Sequence, residues 1–152
     1  MAETELDKEI MTDCEAVVRG MGCEIVEVRT LRGKKGVQVH MVIFKTEGVS
    51  LELCSDVLKT CKPRLQMLTG DTDVQIEVSS PGIERLIKSS REYAVFKGKG
   101  LRVLTEGEAE WTGGIITEAA GDSLRLKSGD VSRTIAFSDI RKAKLDHTQE
   151  DV

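Results

Sequence analysis

The hydrophobic pattern of this chain changes at Ser79-Ser80-Pro81-Gly82, and this change limits its fold more than any other feature. Before this segment, apolar residues recur at helical spacing in two stretches and at alternate positions in others. After it, short apolar runs are separated by turn residues about every ten positions. A helix-and-strand unit followed by a unit of short strands only is therefore predicted, and 152 residues are enough for two small units.

The first part predicts the order helix, strand, strand, helix, strand. Residues 4–20 have one apolar stripe, and residues 23–29 and 37–44 have the composition of strands. Ser50 is a suitable N-cap for a second helix, in which Pro63 is expected to limit or kink the chain. The alternating segment 74–79 completes an αββαβ arrangement with both helices on one side of a short sheet.

The second part predicts a small β-barrel. Five short strands are too few for two stacked sheets, and closing them into a barrel removes the exposed strand edges. The predicted strands are 101–105, 111–118, 123–127, 131–137 and 141–145. The fold class is thus α+β. The predicted domains are 1–84 (α/β), 85–97 (linker), 98–148 (barrel) and 149–152 (acidic tail).

Several classes of function find no support in the sequence. Apolar runs are far shorter than the roughly 20 residues of a membrane-spanning helix, and the first 20 residues are acidic, so we expect a cytosolic protein. The four cysteines form no Cys-x-x-Cys pair, which is against a zinc site, and Cys54 and Cys61 are interpreted as core residues. The two histidines and the carboxylates form no recognisable catalytic set, so neither an enzyme nor a cofactor is expected.

Net charge is −4, yet the basic residues are concentrated in two segments. Segment 29–45 has five bases and no acid. Its Gly33-Lys34-Lys35-Gly36 sequence is interpreted as the tip of a β-hairpin. It is not interpreted as the backbone clamp of a KH domain, because there such a loop joins two helices. Segment 83–105 has six bases and two acids. The candidates for contacts with phosphates are Arg32, Lys34, Lys35, Arg85, Lys88, Arg91, Lys97, Lys99 and Arg102. With only five aromatic residues, any RNA contact is expected to depend on charge and shape.

The segment Ile76-Glu77-Val78-Ser79-Ser80-Pro81-Gly82-Ile83-Glu84-Arg85-Leu86 resembles the signature of the RimP family of ribosome maturation factors. In that family a strand ends in Val-Ser-Ser-Pro-Gly, followed by an apolar residue, an acid and Arg. Glu84 replaces the more usual Asp, and Leu86 replaces a frequent Pro. The motif residues are Ser79, Ser80, Pro81, Gly82, Glu84 and Arg85. The order of the other elements resembles the family over nearly the whole chain.

The resemblance implies an α/β N-terminal domain, an SH3- or Sm-like C-terminal barrel and no catalytic or metal site. It implies a cytoplasmic, non-enzymatic factor for maturation of the small (30S) ribosomal subunit, which binds the precursor through rRNA and ribosomal proteins. We expect a monomer with no membrane contact and no small-molecule substrate. The alternative is a protein-interaction adaptor that does not bind RNA directly.

Overall fold

The computed structural model describes residues 3–151, without the side chain of residue 151. The chain divides into two compact units, Met1–Pro81 and Gly82–Val152. The first contains α1 (Glu5–Gly20), β1 (Glu24–Gly33), β2 (Gly36–Phe44), α2 (Leu51–Thr69) and β3 (Gln75–Ser79). The second contains α3 (Glu92–Val95), β4 (Gly100–Thr105), β5 (Thr112–Ala120), β6 (Ser123–Ser128), β7 (Val131–Ala136) and β8 (Ile140–Leu145). The predicted α+β class and the αββαβ order of the first unit are confirmed.

In the first unit, a three-stranded sheet in the order β1-β2-β3 packs one face against both helices. Strands β1 and β2 are antiparallel, whereas β2 and β3 are parallel and are connected through α2. The helices contribute Ile10, Cys14 and Leu65 to the core, where they meet strand residues such as Val39 and Met41. The opposite face of the sheet lies outside this core.

Local contacts fix the ends of both helices. Thr4 and Asp7 form a reciprocal capping box at α1, and Asp7 also accepts a 2.7 Å hydrogen bond from the Thr30 hydroxyl of β1. Ser50 caps α2 as predicted. The helix passes through Pro63 and ends only at Thr69, so Pro63 does not terminate it. The turns beyond Pro63 are held because Leu65 is fully buried in the core.

The second unit is a five-stranded antiparallel sheet in the order β7-β6-β5-β4-β8. Its first four strands form a meander and its fifth lies beside the first, which is the strand order of SH3-like barrels. A 3-10 turn, Phe137–Asp139, precedes the last strand. In the described residues, β7 and β8 do not pair, so the hydrogen-bonded ladder is open.

Two segments outside the strands pack on this sheet. Residues 85–87 run beside β8, where Ile87 N–H donates to the Ala143 carbonyl and Leu145 N–H donates to the Arg85 carbonyl. The 3-10 helix His147–Asp151 lies against β4, and the Glu150 carboxylate accepts a hydrogen bond from Gly100 N–H. The residues expected to form a linker and a tail thus contact the sheet of this unit.

Candidate nucleic-acid interface

The predicted hairpin at the tip of the first unit is confirmed. Gly33 and Gly36 face each other across β1 and β2, and Lys34 and Lys35 form the turn between them. Gly36 has a φ of 110°, in the left-handed region that favours glycine. Both lysines are exposed, as is the neighbouring Arg32. The hairpin therefore presents three positive charges to solvent.

Asp71, in the loop after α2, holds this hairpin in place. Its Oδ2 accepts a 2.9 Å hydrogen bond from Val37 N–H, and its Oδ1 accepts one of 2.9 Å from Asp73 N–H. These hydrogen bonds, chiefly that from Val37, lower the pKa of Asp71 below its ordinary value. A Cβ atom at Gly36 would lie 2.5 Å from the Asp71 carboxylate, so only glycine allows this approach. The lysines thus project from an anchored base.

The candidate bases of the second unit lie in different surroundings. Lys88, Arg91 and Lys97 are exposed. Lys99 is partly buried, with its Nζ 3.9 Å from a Glu150 carboxylate oxygen. These residues are on the segments before β4 rather than on one strand face.

Arg102 has a different set of neighbours. Its guanidinium carbon lies 5.4 Å from the centre of the Trp111 ring, and its Nη2 is 3.7 Å from Glu84 Oε1. Arg102 also lowers the pKa of Asp146, although hydrogen bonds from Thr148 and Gln149 are the larger causes. Neighbouring carboxylates therefore offset much of its charge.

The Arg85 side chain is largely withdrawn from solvent. It is only 8% exposed, and its Nε donates a 2.9 Å hydrogen bond to Oε1 of Glu92, which is 1% exposed. The other Glu92 oxygen accepts hydrogen bonds from Lys88 N–H at 3.2 Å and Ser89 N–H at 3.1 Å. This carboxylate orders the chain between Arg85 and α3, so the geometry suits Arg85 for a structural role rather than a contact with phosphate.

The remaining motif residues surround the boundary between the two units. Ser79 ends β3, and its Oγ lies 2.8 Å from Nε2 of His40 on β2. Ser80 is exposed and Pro81 is half-buried. The turn itself is closed by Arg85 N–H, which donates to the Gly82 carbonyl at 3.2 Å. Gly82 is not in the left-handed region, and a Cβ there would meet no atom within 4 Å, so this turn does not require glycine.

The cysteines lie in or beside the core of the first unit. Cys14, Cys23 and Cys61 are buried, Cys54 is half-buried, and all four are free thiols. Burial raises the pKa of Cys23 and Cys54, and a hydrogen bond with Cys61 raises that of Cys14. Among the described residues, no cluster of three or more His, Cys, Asp or Glu could hold a metal ion. No described helix is long and apolar enough to span a membrane.

Two important residues, Glu92 and Asp71, were not singled out from the sequence. Glu92 comes three residues after Ser89, at the start of a short helix and in a segment rich in bases. An acid at this distance from a serine is typical of a helix N-terminus, and this signal could have identified it. Asp71 follows the glycine that ends α2, and an Asp at this point is typical of a side chain that accepts backbone N–H groups. Neither signal indicates the distant partner, Arg85 or Val37.

Comparisons with known proteins agree with this architecture. Residues 13–84 match the family model described as the RimP N-terminal domain. A ribosome maturation factor RimP from Borrelia hermsii is 30% identical over 139 residues, which cover 91% of this chain and 95% of the relative. Proteins of the same name from Borrelia recurrentis and Borreliella burgdorferi are each 30% identical, and each alignment covers 82% of this chain and 85% of the relative. The chain therefore belongs to the RimP family of ribosome maturation factors.

Proposed function

We propose that this chain assists maturation of the small ribosomal subunit by binding its precursor, and that it catalyses no reaction. It acts in the cytoplasm as a monomer, without cofactor or small-molecule substrate. Its family membership supports a role in ribosome maturation. The exposed, anchored basic hairpin is the observation that supports direct contact with rRNA.

The hairpin suits a phosphate contact for two reasons. Lys34 and Lys35 form the turn beyond the paired strands, and Arg32 is exposed at the end of β1, so phosphates of a bulky particle can reach all three without a large change in the protein. The hydrogen bond between Asp71 and Val37 fixes the base of the hairpin, so little backbone entropy is lost on binding. Lys88, Arg91 and Lys97 of the second unit provide further exposed charges for the same kind of contact.

Within the family motif, we propose that Arg85 acts through the fold of the second unit. Its ion pair with Glu92 holds residues 85–92, and this segment includes the exposed Lys88 and Arg91. Loss of Arg85 would therefore reduce particle binding by disordering this segment. Ser79, with its contact to His40, has a comparable structural role at the end of the first unit.

Cosedimentation with free small subunits, precursor particles and assembled ribosomes tests the proposal. The wild-type chain should sediment preferentially with free or precursor small subunits. Lys34→Glu combined with Lys35→Glu should weaken this binding at least tenfold at about 0.1 M salt. If three hairpin bases meet phosphates, they contribute roughly −2 to −3 to the slope of log K against log salt, at 0.7 to 0.9 per contact.

The matched control is Lys59→Glu combined with Lys62→Glu, the same charge change at two exposed positions of α2, on the opposite side of the sheet. It should bind small subunits as the wild type does. Equal binding to all three kinds of particle would contradict the proposal. Unchanged affinity and salt slope after reversal of the hairpin lysines would favour a protein-binding adaptor.

A further inference from the structure

We infer that the open face of the first unit's sheet binds single-stranded RNA, with the basic hairpin at one end of the binding surface. This inference rests on the proposed function and adds to it the kind of RNA that is bound and the side chains that contact its bases. It concerns the hairpin end of the face opposite the two helices, because Val42, farther along β2 on the same face, is buried.

The strand register places six side chains on this face in two rows. Leu31, Gln38 and Gln75 are aligned across β1, β2 and β3, and Arg29, His40 and Glu77 form the next row. Neighbouring strands lie about 4.8 Å apart, so each row extends roughly 10 Å across the sheet. All six side chains are exposed or half-buried. The rows form a floor of suitable width for an extended chain of nucleotides.

The floor is concave, and basic side chains surround it. A cavity of about 580 Å³ lies beside the hairpin and another of about 380 Å³ lies over the second row. They share Leu31, Gln38 and Gln75, and therefore form one continuous surface. The basic side chains of this lining are Arg29, Lys34 and Lys35, and its one carboxylate is Glu77. Arg32 borders the cavity, but it pairs with the core residue Val37, so its side chain lies on the other face of the sheet. This charge balance favours a polyanion over a protein surface that carries charges of both signs.

The first row favours an unstacked base over a duplex. Leu31 is 57% exposed between the two cavities, although an aliphatic side chain gains nothing from contact with a phosphate backbone. An unstacked base can cover Leu31 with its apolar face and present its edge to the Gln38 and Gln75 amides, which both donate and accept hydrogen bonds. A duplex keeps its bases stacked and presents mainly phosphates and sugars. Single-stranded RNA therefore uses the whole surface, and a duplex uses only its basic border.

Fluorescence anisotropy with the full chain and two labelled RNAs of about twelve nucleotides tests this inference. One RNA is an unstructured mixed sequence, and the other is the same sequence annealed to its complement. The wild type should bind the single strand at least tenfold more tightly than the duplex. Gln38→Ala combined with Gln75→Ala should weaken single-strand binding about tenfold, because two hydrogen bonds are lost, and should leave duplex binding and the salt slope unchanged.

Gln38→Glu combined with Gln75→Glu preserves side-chain size and provides a second variant. It should weaken single-strand binding more than the double alanine variant does, because the carboxylates repel the phosphates. The α2 control, Lys59→Glu with Lys62→Glu, should bind both RNAs as the wild type does. Circular dichroism should confirm that every variant is folded, as expected for changes at exposed positions.

Equal affinity for the two RNAs, or unchanged binding by both glutamine variants, would overturn the inference. So would binding of polyglutamate with the same dependence on Gln38 and Gln75, which would indicate an acidic peptide as the ligand. The proposed function has a separate test, since it fails if the Lys34 and Lys35 reversal leaves cosedimentation unchanged. If that reversal abolishes cosedimentation while the glutamine variants bind RNA normally, the proposed function stands and this inference does not.

Discussion

Replacing Glu92 with glutamine should strongly destabilise the second unit. The side chain is 1% exposed, and the Arg85 guanidinium that it neutralises is 8% exposed, so neither charge can be taken over by water. Removing one partner of a buried ion pair costs about 3–5 kcal/mol. Glutamine keeps one oxygen that can still accept a hydrogen bond, for example from Ser89 N–H. We therefore expect a loss near the lower limit, about 3 kcal/mol.

This loss is large for a unit of this size. A unit of about 70 residues has a free energy of unfolding of roughly 4–10 kcal/mol. At about 4–8 °C per kcal/mol, the unfolding temperature should fall by roughly 12–24 °C. Urea unfolding followed by tryptophan fluorescence measures the effect directly, because Trp111 is the only tryptophan and lies in this unit.

A double-mutant cycle separates the ion pair from other effects. Arg85→Met in the Glu92→Gln background removes the uncompensated charge and should restore about 2 kcal/mol. The control, Glu84→Gln, removes an acid whose side chain is 67% exposed and should change stability by less than about 0.5 kcal/mol. A loss below about 1 kcal/mol for Glu92→Gln, or additive effects of the two substitutions, would refute the reasoning.

Three further predictions concern other sites. Burial, with a smaller contribution from a nearby carboxylate, raises the pKa of Tyr93 to about 12. The stability that this shift contributes to the second unit should be fully present below pH 10 and lost between about pH 10 and 12, and absorbance at 295 nm should show almost no tyrosinate in the folded state at pH 10.5. Gly100→Ala should lower the free energy of unfolding in urea by about 1–3 kcal/mol, because its Cβ would meet the carbonyl oxygen of residue 146. In the control Gly82→Ala the new Cβ meets no atom, so the free energy of unfolding should hardly change. Equal effects of the two substitutions would contradict the packing argument. The lowered pKa of Asp71 contributes stability above about pH 4, and this contribution is lost as pH falls through the lowered value. The protection factor of the Val37 amide, which corrects exchange for its intrinsic pH dependence, should therefore fall below pH 4, and Asp71→Asn should remove this fall.

Local patterns were sufficient to predict most of the elements. The apolar stripe of α1 and the Ser50 cap act within a few residues, and both occur where the sequence indicates. The strands of the second unit agree with their predicted limits to within two residues because turn residues bound each of them. The expectation that Pro63 limits α2 is wrong, because core packing of Leu65 outweighs the loss of one helical hydrogen bond, and a kink at Pro63 stays a prediction.

The candidate site was predictable only in part. Charge and glycine spacing identified the hairpin lysines, since exposed side chains depend little on distant parts of the chain. The sequence does not distinguish Arg85 from Lys88, yet the Arg85 side chain is only 8% exposed whereas Lys88 is exposed. This difference depends on how the Arg85 segment runs beside β8. The alignment of Leu31, Gln38 and Gln75 depends on the register of both strand pairs, including the parallel pair formed through α2.

The placement of α1 separates some acids of the first unit from its basic hairpin. This helix lies on one face of the sheet and exposes acids there, whereas the hairpin and the open face display bases. The exposed acids at the start of this helix and just before it are Glu3, Glu5, Glu9 and Asp13, of which Glu5 pairs with Lys8 and Asp13 with Arg64. An approaching polyanion should be drawn to Lys34 and Lys35 rather than to the acidic end of α1. Productive collisions should therefore be frequent despite the overall negative charge, and the association rate should fall as added salt shortens the range of this orienting field.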